Sequence, residues 1–322
     1  MRDVVVIGGG LTGLAAAYEL EQHNVNYTLI EVKPRLGGSI DSVSEHGFTF
    51  DTTAMTHTIQ DVTAFSAYLA QLNILEATHT PAHTAPHTVA FNTGTRVLID
   101  TLASAITAPI MFRMAVSTLG SYGHIHSGPS HYAICMENGM VLDARALIIA
   151  APARHSERML HTLIPEAAYR LRDYRYQQVA YISVGYQTSD GPFATEVDPD
   201  YPVIRITALT NSERIPTDTT MLQAALRYEL DHGIPQDAVG EVAALMGWPL
   251  NPLADHIGVW ADGETVMWRD PAHADRLQAV QALLPDTVAL CGSDYIPTNT
   301  PPRLDERVTQ GMMAAQKIMN AL

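Results

Sequence analysis

The sequence predicts an α/β protein: a three-layer, Rossmann-like domain built on a mainly parallel sheet, with a smaller antiparallel-sheet lobe attached. Three observations predict it. Residues 4–31 run through an apolar strand, a glycine-rich turn, a helix-forming stretch and a second strand. The run ALIIAAPA at 146–153 is apolar throughout, as a strand buried on both faces requires. Stretches near 179–187, 203–211, 221–229 and 256–268 read as the strands of an antiparallel floor.

The opening unit carries the most specific chemistry. Val4 to Ile7 lead directly into Gly8, Gly10 and Gly13, in G-x-G-x-x-G spacing. Gly8 permits the tight turn, Gly10 lets the backbone approach a phosphate, and Gly13 lets helix and strand pack closely. Leu11 and Thr12 open the helix, and Ala15, Ala16, Ala17, Tyr18 and Leu20 continue it. Free N–H groups and the positive end of the helix dipole there attract a pyrophosphate. Glu31 ends the second strand 18 residues beyond Gly13. A carboxylate at that point accepts hydrogen bonds from ribose hydroxyls, so the unit is expected to bind a dinucleotide.

Residues 31–40 read EVKPRLGGSI, placing Val32, Lys33, Arg35, the pair Gly37–Gly38 and Ser39 just beyond that acid. This segment resembles the E-x-x-x-R-x-G-G element of the flavoprotein superfamily of amine oxidases, phytoene desaturases and protoporphyrinogen oxidases. The resemblance implies FAD as the cofactor, with Arg35 as a bidentate phosphate partner and the glycine pair as close-approaching donors. Many relatives carry Arg where this chain has Ser39. Neither Cys135 nor Cys291 lies in a flavin-linking context, so the FAD is expected to be non-covalent.

Composition bounds the partners. The 322 residues allow one large α/β domain and a smaller lobe. With 34 acidic against 19 basic residues, nucleic acid and anionic membranes are excluded as expected partners. Two cysteines in apolar settings suggest neither a disulfide framework nor a metal site. No apolar run approaches the roughly 20 residues that span a bilayer. The first strand starts at residue 4 and leaves no room for a leader, so a cytoplasmic setting is expected. His79, His83 and His87 recur every four residues, but Pro81 and Pro86 oppose the helix that would align them on a metal.

The remaining chain follows the superfamily order. GFTFDTT at 47–53 resembles the strand leading to a substrate lobe, with Thr53 where relatives usually have Gly. Val62, Phe65, Leu69, Leu72 and Leu75 recur at near-helical spacing. GTRVLIDTLASAI resembles the helix that returns to the nucleotide domain, and IMFRMAVSTL the strand whose Val116 meets the adenine end of FAD. Asn138–Gly139 marks a hairpin turn, and Ala151 precedes Pro152 in a turn near the cofactor. Near the C-terminus, Gly292, Ser293 and Asp294 stand where ribityl and phosphate contacts are made. Helix 304–318, carrying Val308, is aimed at the flavin, and its acidic residues Asp305 and Glu306 are expected to turn to solvent. This reading gives an FAD-binding domain of 1–52, 94–155 and 285–322, and a substrate lobe of 53–93 and 156–284.

The function so implied is an FAD-dependent oxidoreductase moving a hydride from a small amine- or porphyrinogen-like molecule to flavin N5. Oxygen or another acceptor would reoxidise it. Two alternatives are a renalase-like oxidase of reduced nicotinamide compounds and a flavin-binding assembly protein of low activity. The chain's only lysines are Lys33 and Lys317, so the flavin-facing lysine of monoamine oxidases has no candidate in the lobe. Tyr295, His273 and Trp268 are the catalytic candidates, and Tyr181, Tyr186, Tyr228 and Trp260 could join Trp268 in lining a pocket. A homodimer is compatible with the chain.

Overall fold

The computed structural model describes residues 1–81, 85–122, 131–197, 202–210, 212–260 and 262–322. They form two compact units: Met1–Gly38 with Ile99–Arg175 and Thr265–Leu322, and Ser39–Leu98 with Tyr176–Glu264. The divisions differ from those expected at 52/53, 93/94, 155/156 and 284/285. Ser39 and the hairpin of Ser42–Glu45 and Phe48–Asp51 belong with the second unit, because Phe48 and Phe50 sit in its core beside Leu209 and Met221. Helices Ala153–Leu160, Pro165–Leu171 and His273–Gln281 belong with the first.

The first unit is built on a seven-stranded sheet. Its order is Ile110–Phe112, Tyr27–Glu31, Arg2–Ile7, Val141–Ile149, His131–Met136 and Val116–Tyr122, with Val288–Leu290 also pairing Val141–Ile149. Five strands pair in parallel, and His131–Met136 pairs antiparallel with both of its neighbours, Val141–Ile149 and Val116–Tyr122. Val4, Val5, Val6, Leu147, Ile148 and Ile149 are buried, as strands covered on both faces require. IMFRMAVSTL, expected as one strand, is two. Arg113 breaks it with a left-handed backbone (φ +57°), so Val116 starts a separate edge strand. Helix Leu11–Gln22 packs against Leu304–Ala321 through small residues. A Cβ on Gly311 would lie 2.2 Å from the Thr12 carbonyl oxygen.

The second unit holds a five-stranded antiparallel sheet ordered Val203–Thr210, Thr219–Tyr228, Tyr176–Gln187 and Ala254–Val259, with Glu264–Thr265 also pairing Tyr176–Gln187. Helix Ala238–Met246 covers one face, where Ile182, Val184, Tyr186, Leu222 and Trp248 form a core. Tyr186 is fully buried there, its hydroxyl donating to the Pro249 carbonyl oxygen at 2.7 Å, and is therefore a core residue rather than a pocket wall. The stretch 256–268 is not one strand: Trp268 lies in a 3₁₀ turn, Met267–Arg269, in the first unit. Helix Val62–Gln71 is capped by Asp61, which accepts from the Ala64 N–H at 2.9 Å. Thr78–His79 and Thr88–Phe91 are short strands rather than a helix, and His79 meets Asn92 at 2.6 Å. His83 lies outside the described residues. No helix among the described residues is long and apolar enough to cross a membrane.

Candidate dinucleotide site

The first strand ends at Gly8, whose φ of +108° strains any residue with a side chain, and whose Cβ would lie 2.4 Å from the Ala150 carbonyl oxygen. The chain then turns into helix Leu11–Gln22 with Gly10 at its N-cap. No side chain caps this helix and its first turn holds no acid. The first N–H groups of a helix lack intrahelical acceptors, so this end presents unsatisfied donors and positive dipole. Gly10 pairs with Gly37 as an isolated bridge, and the Gly37 N–H donates to the Gly9 carbonyl at 2.8 Å. The two glycine segments therefore form one cradle, packed so closely that a Cβ on Gly38 would lie 3.2 Å from the Gly10 Cα.

Glu31 is buried at the end of its strand, 5% exposed. Its Oε2 accepts the Gly9 N–H at 2.7 Å and its Oε1 the Lys33 N–H at 2.8 Å. The carboxylate thus ties the glycine turn to the strand end. Each oxygen keeps a further lone pair with which to accept a ribose hydroxyl. Gly9 was not among the residues singled out in the sequence. It supplies the N–H that holds Glu31, and a Cβ there would strike Leu36 at 2.5 Å; the middle glycine of the GGG run was the available signal. Val32 is exposed, while Lys33 and Arg35 are half-buried, with an Arg35 Nη1 donating to the Leu36 carbonyl at 3.1 Å.

A second cluster of the first unit forms around Gly292, Ser293 and Asp294. Asp294 is buried and accepts the Ala153 N–H at 2.7 Å, at the start of helix Ala153–Leu160, so its carboxylate acts as a cap there. The Tyr295 hydroxyl donates to Ser156 Oγ at 2.7 Å and lies 3.2 Å from the Ala151 carbonyl oxygen. Gln310, also missed in the sequence, clamps this turn from the last helix: its Oε1 accepts the Gly292 N–H at 2.7 Å and its Nε2 donates to the Tyr295 carbonyl. Val308 is buried on the same helix. Asp305 is buried as well, against the expectation that it faces solvent, and Glu306 accepts the Arg303 N–H at 2.7 Å, closing the helix start.

The three catalytic candidates all lie in the first unit. Tyr295 and His273 are 2% and 3% exposed. His273 Nε2 faces the Ile296 carbonyl oxygen at 3.1 Å, which makes Nε2 the donor, and the ring meets Tyr174 edge-on at 5.9 Å. Burial holds the His273 pKa below its ordinary value, favouring the neutral ring. Trp268 is half-buried beneath the Arg269 guanidinium, 4.8 Å from its ring centre. Burial likewise pushes the Cys291 thiol up to about 12, so it is a packing group rather than a reactive thiolate.

Comparison with known proteins places these features. A model of the NAD(P)-binding Rossmann-like domain matches residues 6–72. The mitochondrial protoporphyrinogen oxidase of Nicotiana tabacum is 45% identical over 64 residues, 19% of this chain and 13% of that protein. The flavin-containing amine oxidase A of Bos taurus is 51% identical over 47 residues, 14% of this chain and 9% of that protein. The match thus spans a small part of either relative. The structure of putrescine oxidase bound to putrescine superposes with a TM-score of 0.79 at 14% identity, covering 99% of both chains. Residues 6–72 thus match a Rossmann-like model, a short stretch of the chain is similar in sequence to protoporphyrinogen and amine oxidases, and the chain has the fold seen in putrescine oxidase.

Proposed function

We propose that this protein is an FAD-dependent oxidoreductase acting on a small amine- or porphyrinogen-like molecule. The observation that carries the reading is the double glycine cradle, with an uncapped helix N-terminus on one side and the buried carboxylate of Glu31 on the other. The cradle fits a pyrophosphate because Gly10 has no neighbour close enough to block a ligand: a Cβ there would find only Gly38, at 3.9 Å. The second glycine pair is what favours FAD over a nicotinamide dinucleotide. FAD, when bound, accepts a hydride from the substrate. Gly8–Gly13 and Arg35 would hold its phosphates, Glu31 its ribose, and the Gly292–Asp294 turn its ribityl end, with that turn positioned by Gln310.

Purified protein is expected to be yellow and to release all its flavin on acid precipitation, since Cys291 is buried and Cys135 forms part of a sheet strand. A colourless protein that takes up NAD but not FAD would overturn the assignment. Glu31→Gln is expected to weaken FAD binding by about 1–3 kcal/mol, because a charged acceptor becomes a neutral one. The flavin-free protein should also melt at a lower temperature, since the amide nitrogen of Gln cannot accept either backbone N–H that Glu31 now holds. Flavin fluorescence titration and thermal unfolding check the two effects separately. An unchanged affinity would assign the ribose to other groups.

A further inference from the structure

We propose that the antiparallel sheet of the second unit carries a carboxylate-binding site formed by Arg205 and Arg227, which makes the substrate an anion. Strand registry places them together. Arg205 lies opposite Ala225, and Arg227 is two residues along the same strand from Ala225. Alternate residues share a face, and diagonal neighbours across an antiparallel pair lie about 7–8 Å apart, within the span of two arginine side chains. That face is the one opposite the core under helix Ala238–Met246: Ala225 packs with Val179 and Tyr181, which pair with Arg227 and Ala225 on the next strand.

Two guanidinium groups side by side repel, and on a sheet surface this costs stability unless an anion lies between them. The chain has 34 carboxylate side chains, yet no described residue forms an ion pair with either arginine. Arg205 is held by Tyr181: its Nη2 donates to the hydroxyl at 3.3 Å and its guanidinium stands 5.8 Å over the ring. The Tyr181 hydroxyl donates in turn to Glu264 at 2.6 Å. The nearby acid is therefore engaged by the tyrosine, which orients Arg205 without neutralising it. Arg227 supplies the second, independent sign. Its Nε is buried and finds no acceptor among the described residues, although buried donors are nearly always satisfied. A planar carboxylate fits the guanidinium fork, and its second oxygen can meet Arg205. The apolar neighbours Val179 and Ile204 suit a ligand whose charge is carried on an apolar body.

The proposal rests on the oxidoreductase reading only for calling the anion a substrate, and one experiment separates the two. Benzoate, its neutral analogue benzamide and inorganic phosphate are titrated calorimetrically into the purified protein, with flavin content read from the absorbance of the same samples. Benzoate is expected to bind about tenfold or more tightly than benzamide, the scale of one lost charged hydrogen bond. Arg227→Met and Arg205→Met should each remove that preference, while Arg227→Lys retains part of it. Arg205 is exposed, so its variant keeps the test available if Arg227→Met does not fold. Equal binding of benzoate and benzamide, or a full preference in both methionine variants, overturns the site. Phosphate binding more tightly than benzoate overturns the carboxylate assignment. Flavin-bearing protein indifferent to benzoate refutes the site alone, whereas flavin-free protein that will not take up FAD but binds benzoate through these arginines refutes the flavin reading alone.

Discussion

Arg214→Met is expected to destabilise the second unit by about 3–5 kcal/mol, the scale of breaking a buried ion pair on one side. Arg214 and Asp51 are both fully buried, with Nη2 and Oδ2 3.0 Å apart. Asp51 accepts three further bonds, from Ser42 Oγ at 2.5 Å and from the Thr95 N–H and Oγ1, each at 2.9 Å. Arg214 donates to the Thr49 carbonyl through Nε and Nη2, at 3.1 and 2.9 Å, and to the Met55 carbonyl at 3.4 Å. Methionine fills much of the same volume but leaves a buried carboxylate without its counter-ion and two backbone carbonyls without donors. Adding Asp51→Asn removes the stranded charge, so the double variant should lose less than the two single losses added together. Chemical denaturation of the four proteins measures this coupling. A loss in Arg214→Met of less than about 1 kcal/mol, the range of an exposed ion pair, would show that water reaches the pair.

This pair also marks where the sequence stopped being informative. Residues 47–53 were recognisable as a strand leading into the lobe, but nothing near Arg214, in NSERIPT, signals a partner 163 positions earlier. The Gly8–Gly38 segment was legible because its constraints are local: strand, turn, helix and acid follow one another and each limits the next. Gly9 escaped because its role depends on the Glu31 carboxylate, which only the folded turn brings to its N–H. The Asp294 cap on Ala153 and the Gln310 clamp on Gly292 likewise join residues far apart in the chain. Arg113 splits an apparently continuous strand through a left-handed backbone that its residue type does not announce. In the antiparallel sheet the strands were visible but their faces were not. Tyr181 and Tyr186 are five positions apart, so alternation sends them to opposite faces. One enters the helix-covered core and the other meets Arg205.

Gly13→Ala and Gly10→Ala should separate the two duties of the glycine motif, folding and ligand approach. A Cβ on Gly13 would stand 1.9 Å from the Gly8 carbonyl oxygen, 3.0 Å from its carbon and 3.2 Å from the Ala150 Cβ. The obstacle is backbone at the end of a central strand, so the helix must move away from the sheet as a body. Overpacking of this kind costs about 1–3 kcal/mol, and the displaced helix end no longer points its N–H groups at the cradle. Gly13→Ala should therefore lower the melting temperature of the flavin-free protein and abolish FAD uptake. At Gly10 the nearest atom to a new Cβ is the Gly38 Cα at 3.9 Å, an ordinary contact. Gly10→Ala should leave the unfolding curve within about 0.5 kcal/mol of the parent, as for a substitution that strains nothing. Its methyl group would instead occupy the space through which a pyrophosphate approaches, so FAD affinity should fall although the fold is unharmed. Thermal unfolding without flavin and fluorescence titration with FAD read the two effects on the same samples. If Gly10→Ala binds FAD as the parent does, the phosphates do not pass over Gly10 and the cradle holds some other part of the ligand.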